Sequence, residues 1–349
     1  MRNLLRRRSP IVYAAASGLL LFLVLSGLTA APIVDPNNPT GARGLILIDK
    51  LGHMIRFFDP VSLKEISSFE TNVTPHDVAI SPDHKTAYAP IYGDGVYGRN
   101  PHPGHEIAIV DLETRKQTGT IDVSPYIAPH GIQVDQNGIL YVTCDLSRKL
   151  LVIDPAKRSI LAAIDNEGTG HWIAVLPDAS KAYITNKNDR LFVSVIDLKT
   201  RKIVARVPAP NGTQGVVASP DGSRVLVMDN AEPVVLVIDT KTDTVVDKVT
   251  LEGNTRGGYK PRYSVDGSTI VTMTENPPLV NVLDARNLHG KQRVFPVGKD
   301  PMGFAFAPDG KTLLVANHGD GTVTVIDLKA SKVTDTFKAG TGIETLAYY

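Results

Sequence analysis

Cysteine is almost absent from this sequence, which has a single one, Cys144, in 349 residues. With one thiol no intrachain disulfide can form, so stability has to come from packing. An excess of charge of one sign is lacking as well, because 37 Lys and Arg side chains are balanced by 36 Asp and Glu. A chain with this charge balance has no general attraction for nucleic acid. The balance does not exclude a local basic strip on the surface.

Several functional patterns are also missing. The sequence contains no G-x-S-x-G nucleophile element and no phosphate-binding P-loop. No helical periodicity accompanies the repeats described below, which argues against an α-solenoid. Glycine and proline, by contrast, are plentiful, with 29 and 24 residues spread evenly along the chain. That distribution predicts many turns and short strands.

The N-terminus is strongly apolar behind a basic start. Arg2 and Arg6 to Arg8 precede an apolar run over residues 11–25, and small residues follow up to Ala30. This order is typical of a secretory signal. We therefore predict a signal peptide over residues 1–30, a linker over 31–43 and a periplasmic or secreted protein. The alternative is an uncleaved signal anchor, which would be the only contact with a membrane.

One pattern recurs seven times along the rest of the chain, an apolar alternation that ends in aspartate. These residues are Asp59, Asp111, Asp154, Asp197, Asp239, Asp284 and Asp327. Their spacing is 42 to 45 residues, except for one interval of 52. A turn such as S-P-D-G (219–222) or A-P-D-G (307–310) marks the earlier part of six units. Pro presets φ for a tight turn there, and Gly accepts a positive φ after it.

Each unit reads as four short antiparallel strands in about 43 residues, which is the size of a β-propeller blade. Strands such as V-S-V-I-D-L (193–198) suit a sheet that is packed on both faces. Residues 44–69 supply three strands without an innermost one, and residues 343–349 supply a single innermost strand. Together they predict a seventh blade that closes the ring. The predicted fold is all-β, a seven-bladed β-propeller of four-stranded antiparallel blades over residues 44–349.

The repeats resemble a known family. L-Y-V-T-C-D (140–145), A-Y-I-T-N-K-N (182–188), the P-D-G turns and the V-I-D strand ends are similar to those of the YVTN-repeat β-propellers, including the YncE-like secreted proteins. The resemblance covers essentially all of 44–349 and implies a fold rather than an activity. Related propellers include lactonases, haem d1 domains and quinoprotein dehydrogenase subunits. The repeat over 256–267 departs from the pattern, with charges where the others are apolar.

A second alignment concerns the residue just ahead of each innermost strand. In T-P-H-D-V-A-I, A-P-H-G-I-Q-V and T-G-H-W-I-A-V this place is taken by histidine. Matching positions of successive blades meet around the channel axis, so we expect a ring of these residues at one end. Its seven members are His76, His130, His171, Gln214, Tyr259, Met302 and Glu344. Glu344 belongs to the closing blade, beside the blade of His76.

Other polar groups are expected at the same end of the channel. The hairpins between second and third strands contribute Asn186 and His318, and Arg262 follows in the charged repeat. A long insertion over 92–105 falls in one of these hairpins, and long loops in compact domains are often functional. The predicted ligand-binding residues are His76, His130, His171, Glu344, Tyr259, His318, Asn186 and Arg262.

Three imidazoles and a carboxylate are also a common set of metal ligands. We therefore predict His76, His130, His171 and Glu344 as ligands of a divalent transition metal, either Zn, Cu or Fe. No H-x-x-x-H spacing supports this ligand set. A lone histidine at a strand start is usually a satisfied structural group, and the clustering of three is what favours a site.

Three functions stay open at this point. The favoured one is an exported binding module whose polar channel mouth holds a small ligand or metal ion and docks a protein partner. The second is a metal-dependent enzyme at the same site, a lactonase-like hydrolase or an oxidoreductase. The third is a scaffold or a nucleic-acid-binding propeller. The fold alone does not choose among them.

Overall fold

The computed structural model describes residues 41–349, which form 28 β-strands in seven four-stranded antiparallel sheets. The sheets are the blades of a β-propeller, so the predicted fold is confirmed. The predicted signal peptide and most of the predicted linker fall in residues 1–40, outside the described part. Over residues 41–349 we find no helix of the length and apolarity that crossing a membrane requires.

The strands are numbered in chain order, and the blades are numbered from the one that holds both chain ends. Blade 1 contains β28 (Ile343–Tyr348), β1 (Leu45–Asp49), β2 (Met54–Phe58) and β3 (Glu65–Glu70). Blade 2 contains β4 (Ala79–Ile80), β5 (Thr86–Gly93), β6 (Pro103–Asp111) and β7 (Lys116–Asp122). Blade 3 contains β8 (Pro129–Val134), β9 (Leu140–Cys144), β10 (Lys149–Asp154) and β11 (Ser159–Asp165). Blade 4 contains β12 (Ile173–Val175), β13 (Lys181–Thr185), β14 (Phe192–Asp197) and β15 (Lys202–Pro208).

The remaining three blades follow the same order from the innermost strand outward. Blade 5 contains β16 (Thr213–Ala218), β17 (Arg224–Asp229), β18 (Val234–Asp239) and β19 (Thr244–Thr250). Blade 6 contains β20 (Gly258–Tyr263), β21 (Thr269–Glu275), β22 (Pro278–Asp284) and β23 (Arg293–Pro296). Blade 7 contains β24 (Pro301–Phe306), β25 (Thr312–Asn317), β26 (Thr322–Asp327) and β27 (Lys332–Lys338).

Blade 1 is closed as the sequence predicted. Its innermost strand, β28, pairs antiparallel with β1, from Leu45 opposite Tyr348 to Asp49 opposite Ile343. This pairing covers the inner edge that β1 would otherwise expose, and an exposed strand edge invites pairing with other chains.

The repeated aspartate stabilises the turn after the third strand of each blade. In blade 5, Oδ1 of Asp239 accepts hydrogen bonds from the backbone N–H groups of Lys241 and Thr242, at 2.8 and 3.0 Å. These hydrogen bonds hold the pKa of Asp239 below its usual range. The other members accept equivalent bonds: Asp59, Asp111, Asp154, Asp197, Asp284 and Asp327.

The apolar core lies between neighbouring blades. Between blades 4 and 5, for example, the buried residues Val193 and Val195 share a cluster with Val225 and Val227. Both faces of a central strand are therefore buried, which explains its runs of β-branched residues. Cys144 is buried in the cluster of blades 2 and 3, and burial raises the pKa of its thiol, so it acts as a small packed side chain.

A β-bulge interrupts the innermost strand of five blades at the ring position. In blade 3, two residues, His130 and Gly131, oppose the single residue Thr143. Equivalent irregularities occur in β16, β20, β24 and β28. A bulge bends the strand and changes the direction of a side chain. This local geometry directs the ring residues at the end of the channel.

Candidate functional site

Three imidazoles from successive blades meet at one end of the channel. The ring centroids of His76 and His130 are 3.9 Å apart, and those of His130 and His171 are 4.8 Å apart. The three residues are 3%, 0% and 5% exposed. We call them the histidine cluster. The structure thus brings together the three positions that the alignment of repeats had placed in one ring.

Glu344 joins this cluster from blade 1. Its Oε1 atom lies 3.5 Å from Nε2 of His76, and its Oε2 atom lies 3.5 Å from Nδ1 of His318. Nζ of Lys50 is 3.4 Å from the same Oε2 atom. Sequence reasoning missed Lys50. It lies in the β1–β2 hairpin, which is equivalent to the hairpin that carries His318, so the alignment of hairpins contained the signal.

Burial keeps the three imidazoles uncharged. Desolvation is the main cause that lowers the pKa of each ring well below its usual range. Lys50 and Lys260 lower the pKa of all three rings further, and Lys187 lowers that of His130 and His171. The contact between His76 and Glu344 is therefore not an ion pair at neutral pH. Neutral imidazoles offer one hydrogen-bond donor and one acceptor each.

Several polar atoms around the cluster are buried without a hydrogen-bond partner among residues 41–349. Nδ1 of His130 lies 3.1 Å from the carbonyl oxygen of His171, so the neutral ring carries its proton there and Nε2 is an unused acceptor. Nδ1 of His76, Nδ1 of His171 and Oε1 of Gln214 are also buried without a hydrogen bond. Such atoms are costly, and their concentration favours a ligand or ordered water at this place.

Aromatic side chains enclose the cluster. The ring centroid of Trp172 is 5.2 Å from that of His130, and the centroid of Tyr97 is 4.3 Å from that of His171. Tyr97 belongs to the long insertion of blade 2, and its hydroxyl group hydrogen-bonds to Thr169 of blade 4. The insertion therefore covers the cluster and reaches across the channel end.

The two histidines of the insertion lie apart from the cluster. His102 pairs with Asp94, and His105 pairs with Asp122. Their side chains are 81% and 51% exposed, respectively. They are solvated residues of the blade rim.

A cavity of about 610 Å³ lies beside Glu344, and we call it the mouth cavity. Residues that line it include Lys50, Met302, His318 and Glu344 of blades 1 and 7 and Asp94 and Arg99 of the insertion. Its volume is in the range of small-molecule sites, which is about 300–1,000 Å³. The mouth cavity is the accessible space next to the buried cluster.

Asn186 has a different environment from the one expected. Its Nδ2 atom donates to the carbonyl of Phe192 and to Oγ of Ser194, both at 3.0 Å, and its Oδ1 atom accepts from Asn166. Both amide protons are thus committed to the β13–β14 hairpin and its neighbour. The side chain orders the rim of blade 4.

Tyr259 and Arg262 also lie apart from the histidine cluster. Tyr259 is half-buried and packs against the apolar cluster of blades 6 and 7, and burial together with the Glu275 carboxylate raises its pKa. Arg262 lines the channel beyond the cluster, together with Asp77 and Lys260. The structure therefore gathers five of the eight predicted residues, which are His76, His130, His171, His318 and Glu344.

The metal prediction meets a geometric obstacle. Within the described range, 41–349, no three or more His, Cys, Asp or Glu side chains are grouped so as to hold one metal ion. The ring centroids of His76 and His130 are only 3.9 Å apart, and the rings are inclined by 41° to each other. A ligating nitrogen points its lone pair within the plane of its own ring toward a metal about 2.0–2.1 Å away. Because each ring centroid lies beyond its ligating nitrogen, two imidazoles bound to one ion stand farther apart than 3.9 Å, so these two rings do not face a common ion.

Comparison with known proteins supports the fold. No family model matches the chain. Antigen Lp49 of Leptospira interrogans serogroup Icterohaemorrhagiae serovar copenhageni (strain Fiocruz L1-130) is 23% identical over 325 residues, which are 85% of this chain and 65% of that protein. This chain thus spans less than two thirds of the length of that relative.

Two solved structures share the architecture. Kuenenia stuttgartiensis hydrazine synthase superposes with a TM-score of 0.65 at 21% identity and covers 78% of this chain and 89% of that one. The dihydro-haem d1 dehydrogenase NirN, in complex with DHE, superposes with a TM-score of 0.61 at 15% identity, over 88% of this chain and 74% of that one. At these identities the likeness shows the propeller fold alone.

Proposed function

We propose that this protein is an exported binding propeller of the YVTN-repeat, YncE-like type, which holds a small polar ligand in the mouth cavity. The observation that carries the proposal is a pair of buried polar atoms in the lining of this cavity, Nδ1 of His318 and Oε2 of Glu344, which make no hydrogen bond among residues 41–349, together with the similar atoms of the adjacent histidine cluster. Oε2 of Glu344 and Nε2 of His130 are acceptors. They favour a ligand with hydrogen-bond donors, such as hydroxyl or amine groups, or a metal ion.

The insertion of blade 2 gives this end of the channel its second proposed role, the docking of a protein partner. It projects over the channel end, and its Val96, which is 62% exposed, lines the mouth cavity together with Leu51, which is 56% exposed. Export rests on the predicted signal over residues 1–30, and contact with a membrane is expected only if that signal stays uncleaved. The balanced charge argues against general binding of nucleic acid.

The metal form of the proposal requires the imidazoles of His76, His130 and His171 to turn from their close, tilted arrangement so that they and Glu344 face one ion. Their low pKa keeps them deprotonated and so suited to Zn, Cu or Fe. Metal analysis of protein purified without a polyhistidine tag tests this form. We expect one equivalent of metal in the wild type and none in a His76→Ala/His130→Ala variant.

The control for metal analysis is His289→Ala, because His289 is exposed and pairs with Asp247 at the surface. Substoichiometric metal in the wild type, or equal metal in both variants, would remove the metal form. One equivalent of metal that depends on the histidine cluster would support the alternative of a metal-dependent enzyme. A substrate screen with and without chelator would then distinguish a lactonase-like hydrolase or an oxidoreductase from a metal carrier.

The ligand form is tested by thermal denaturation in the presence of monosaccharides, amino sugars and amino acids. We expect at least one of these compounds to raise the melting temperature of the wild type and to lose that effect in Glu344→Gln. Glu232→Gln is the control, since Glu232 is an exposed carboxylate in the β17–β18 hairpin of blade 5. If every stabilising compound acted equally on Glu344→Gln, the mouth cavity would not be the binding site.

A further inference from the structure

The central channel forms a second cavity, of about 600 Å³, which we call the channel cavity. It is lined from all seven blades by residues of the innermost strands and of the turns that follow them. His84, Val265 and Pro308 of the lining belong to the P-D-G-type turns. These turns lie at the opposite end of the innermost strands from the histidine cluster. The channel cavity is therefore a different space from the mouth cavity and opens on the other face.

Trp172 separates the channel cavity from the histidine cluster. It lines the cavity, and its ring centroid is also 5.8 Å from that of His76. Nζ of Lys260 lies 3.6 Å from the centroid of the Trp172 ring and 3.8 Å from Oδ1 of Asp77. The indole, the ammonium and the carboxylate form the inner end of the cavity, with the two charges balancing each other.

Arg262 supplies a charge that is not balanced in this way. Over residues 41–349 its guanidinium group makes no hydrogen bond and no ion pair, and the nearby Asp77 is already paired with Lys260. A guanidinium stays protonated at any ordinary pH. The channel cavity thus contains one excess positive charge in a largely apolar lining. Apolar members of the lining include Ile80, Ile132, Val134, Val217, Phe306 and Tyr348.

We propose that the channel cavity binds a small organic monocarboxylate with an apolar body, and that Arg262 binds the carboxylate. The planar guanidinium matches a carboxylate with two parallel hydrogen bonds. The apolar part of the ligand would lie along the valine, isoleucine and phenylalanine side chains, where the burial of apolar surface contributes most of the affinity. An uncharged molecule of the same shape would leave the guanidinium without a partner.

Trp172 is the only tryptophan in the sequence and lines the channel cavity, so its fluorescence reports ligand binding there. Titration of the full-length protein with octanoate and with 4-phenylbutanoate should change its fluorescence saturably. We expect octanamide, the uncharged counterpart of octanoate, to bind at least about tenfold more weakly than octanoate. Arg262→Gln should weaken binding of the acids by about tenfold or more and leave octanamide almost unaffected.

Two further variants separate this site from the mouth cavity. Arg256→Gln removes an exposed arginine that precedes β20 and should leave binding of the acids unchanged. His318→Ala, which changes the lining of the mouth cavity, should leave it unchanged as well, so failure of the mouth-cavity proposal would not affect this one. A preference for octanoate or for 4-phenylbutanoate identifies the body of the ligand as linear or aromatic. Absence of saturable binding of both acids, or equal affinities in wild type and Arg262→Gln, would overturn the proposal.

Discussion

Burial determines the chemistry of individual residues at the channel end. His130 is fully buried, and its backbone partner, the carbonyl of His171, selects the tautomer with the proton on Nδ1. Glu344 meets two imidazoles and Lys50 at distances of 3.4 to 3.5 Å, which are longer than a normal hydrogen bond. These residues are held close together without satisfying one another. A site of this kind gains stability when a ligand completes its hydrogen bonds.

The buried imidazoles predict a loss of stability in mild acid. The pKa of His130 is lowered on folding, so the unfolded chain binds more protons than the folded one below about pH 6.5. The folded state therefore becomes less stable as the pH is lowered. Between pH 7.5 and 5.5 each such histidine should cost about 1.4 kcal/mol of the free energy of unfolding. His130→Gln should therefore lose about 1.4 kcal/mol less over this range than the wild type, as measured by urea denaturation.

An exposed histidine serves as the control for this prediction. His289→Gln should show the same pH dependence as the wild type in the range from pH 7.5 to 5.5, because any effect of its exposed pair with Asp247 is small. Parallel curves for the wild type and His130→Gln would show that the ring takes up protons in the folded state, contrary to the burial argument.

At the residue scale, the sequence predicted the cluster but not its surroundings. The positions of His76, His130 and His171 followed from the repeats, since equivalent positions of neighbouring blades must be close. Lys187 and Lys260, which lower the pKa of His130 and His171, do not share their alignment column. The approach of these lysines to the imidazoles depends on the directions of side chains from different blades. A local sequence pattern carries no information about those directions.

The innermost strands position both cavities by approaching each other closely. Glycine follows the ring position in blades 3, 5 and 7, as Gly131, Gly215 and Gly303. A Cβ atom on Gly215 would lie 2.4 Å from the carbonyl oxygen of Tyr259 and 2.7 Å from Cα of Lys260. The neighbouring backbone occupies the space of a side chain. Glycine here allows strands of adjacent blades to come together around the axis.

Gly215→Ala should accordingly destabilise the protein by about 2–3 kcal/mol, because backbone has to move to make room for the methyl group. Gly138→Ala is the comparison, since Gly138 has a φ of 81° but no atom near its missing Cβ. It should cost only about 1 kcal/mol, the strain of a left-handed conformation. The two free energies of unfolding come from urea denaturation, and equal costs would contradict the proposed close approach.

At the scale of elements the sequence was informative about strands and turns. The P-D-G turns, the V-I-D strand ends and the alternation of apolar residues are local signals, and the structure has a strand at each expected place. The β-bulges at the ring position were not foreseen. In blade 3, for example, β8 leaves its regular pairing with β9 at His130, and this places the His130 side chain at the channel end. The assembled ring requires this bulge, and no local sequence pattern signals it.

The whole molecule is a closed ring, so its stability should be a property of all blades together. β28 joins the last segment of the chain to β1, and Leu346 of β28 is 1% exposed in the cluster shared with blade 7. Each blade packs on two neighbours, and opening the ring at blade 1 would expose apolar surface on both sides. We therefore expect one cooperative unfolding transition, with the same midpoint by Trp172 fluorescence and by circular dichroism.

Leu346→Ala should lower the free energy of unfolding by about 2–5 kcal/mol and shift both probes together. Leu161→Ala is the control, because Leu161 lies in the outermost strand of blade 3 and is 43% exposed. We expect it to change stability by less than about 0.5 kcal/mol. A separate early transition in Leu346→Ala, seen by circular dichroism but not by Trp172, would show that blade 1 unfolds independently and that closure does not couple the blades.

The sequence by itself determined the seven blades, the closure by β28 and the column that places three histidines and Glu344 together. It could do so because the repeat length, the turn residues and the alternation of apolar residues are local features of the sequence. The approximate symmetry of the ring then places equivalent positions of neighbouring blades close together. Only the tertiary structure decided that Tyr97 covers the cluster, that Asn186 serves the rim and that Arg262 faces a second cavity. Those outcomes depend on contacts between side chains of different blades, where the repeats differ from one another and each pair packs in its own way.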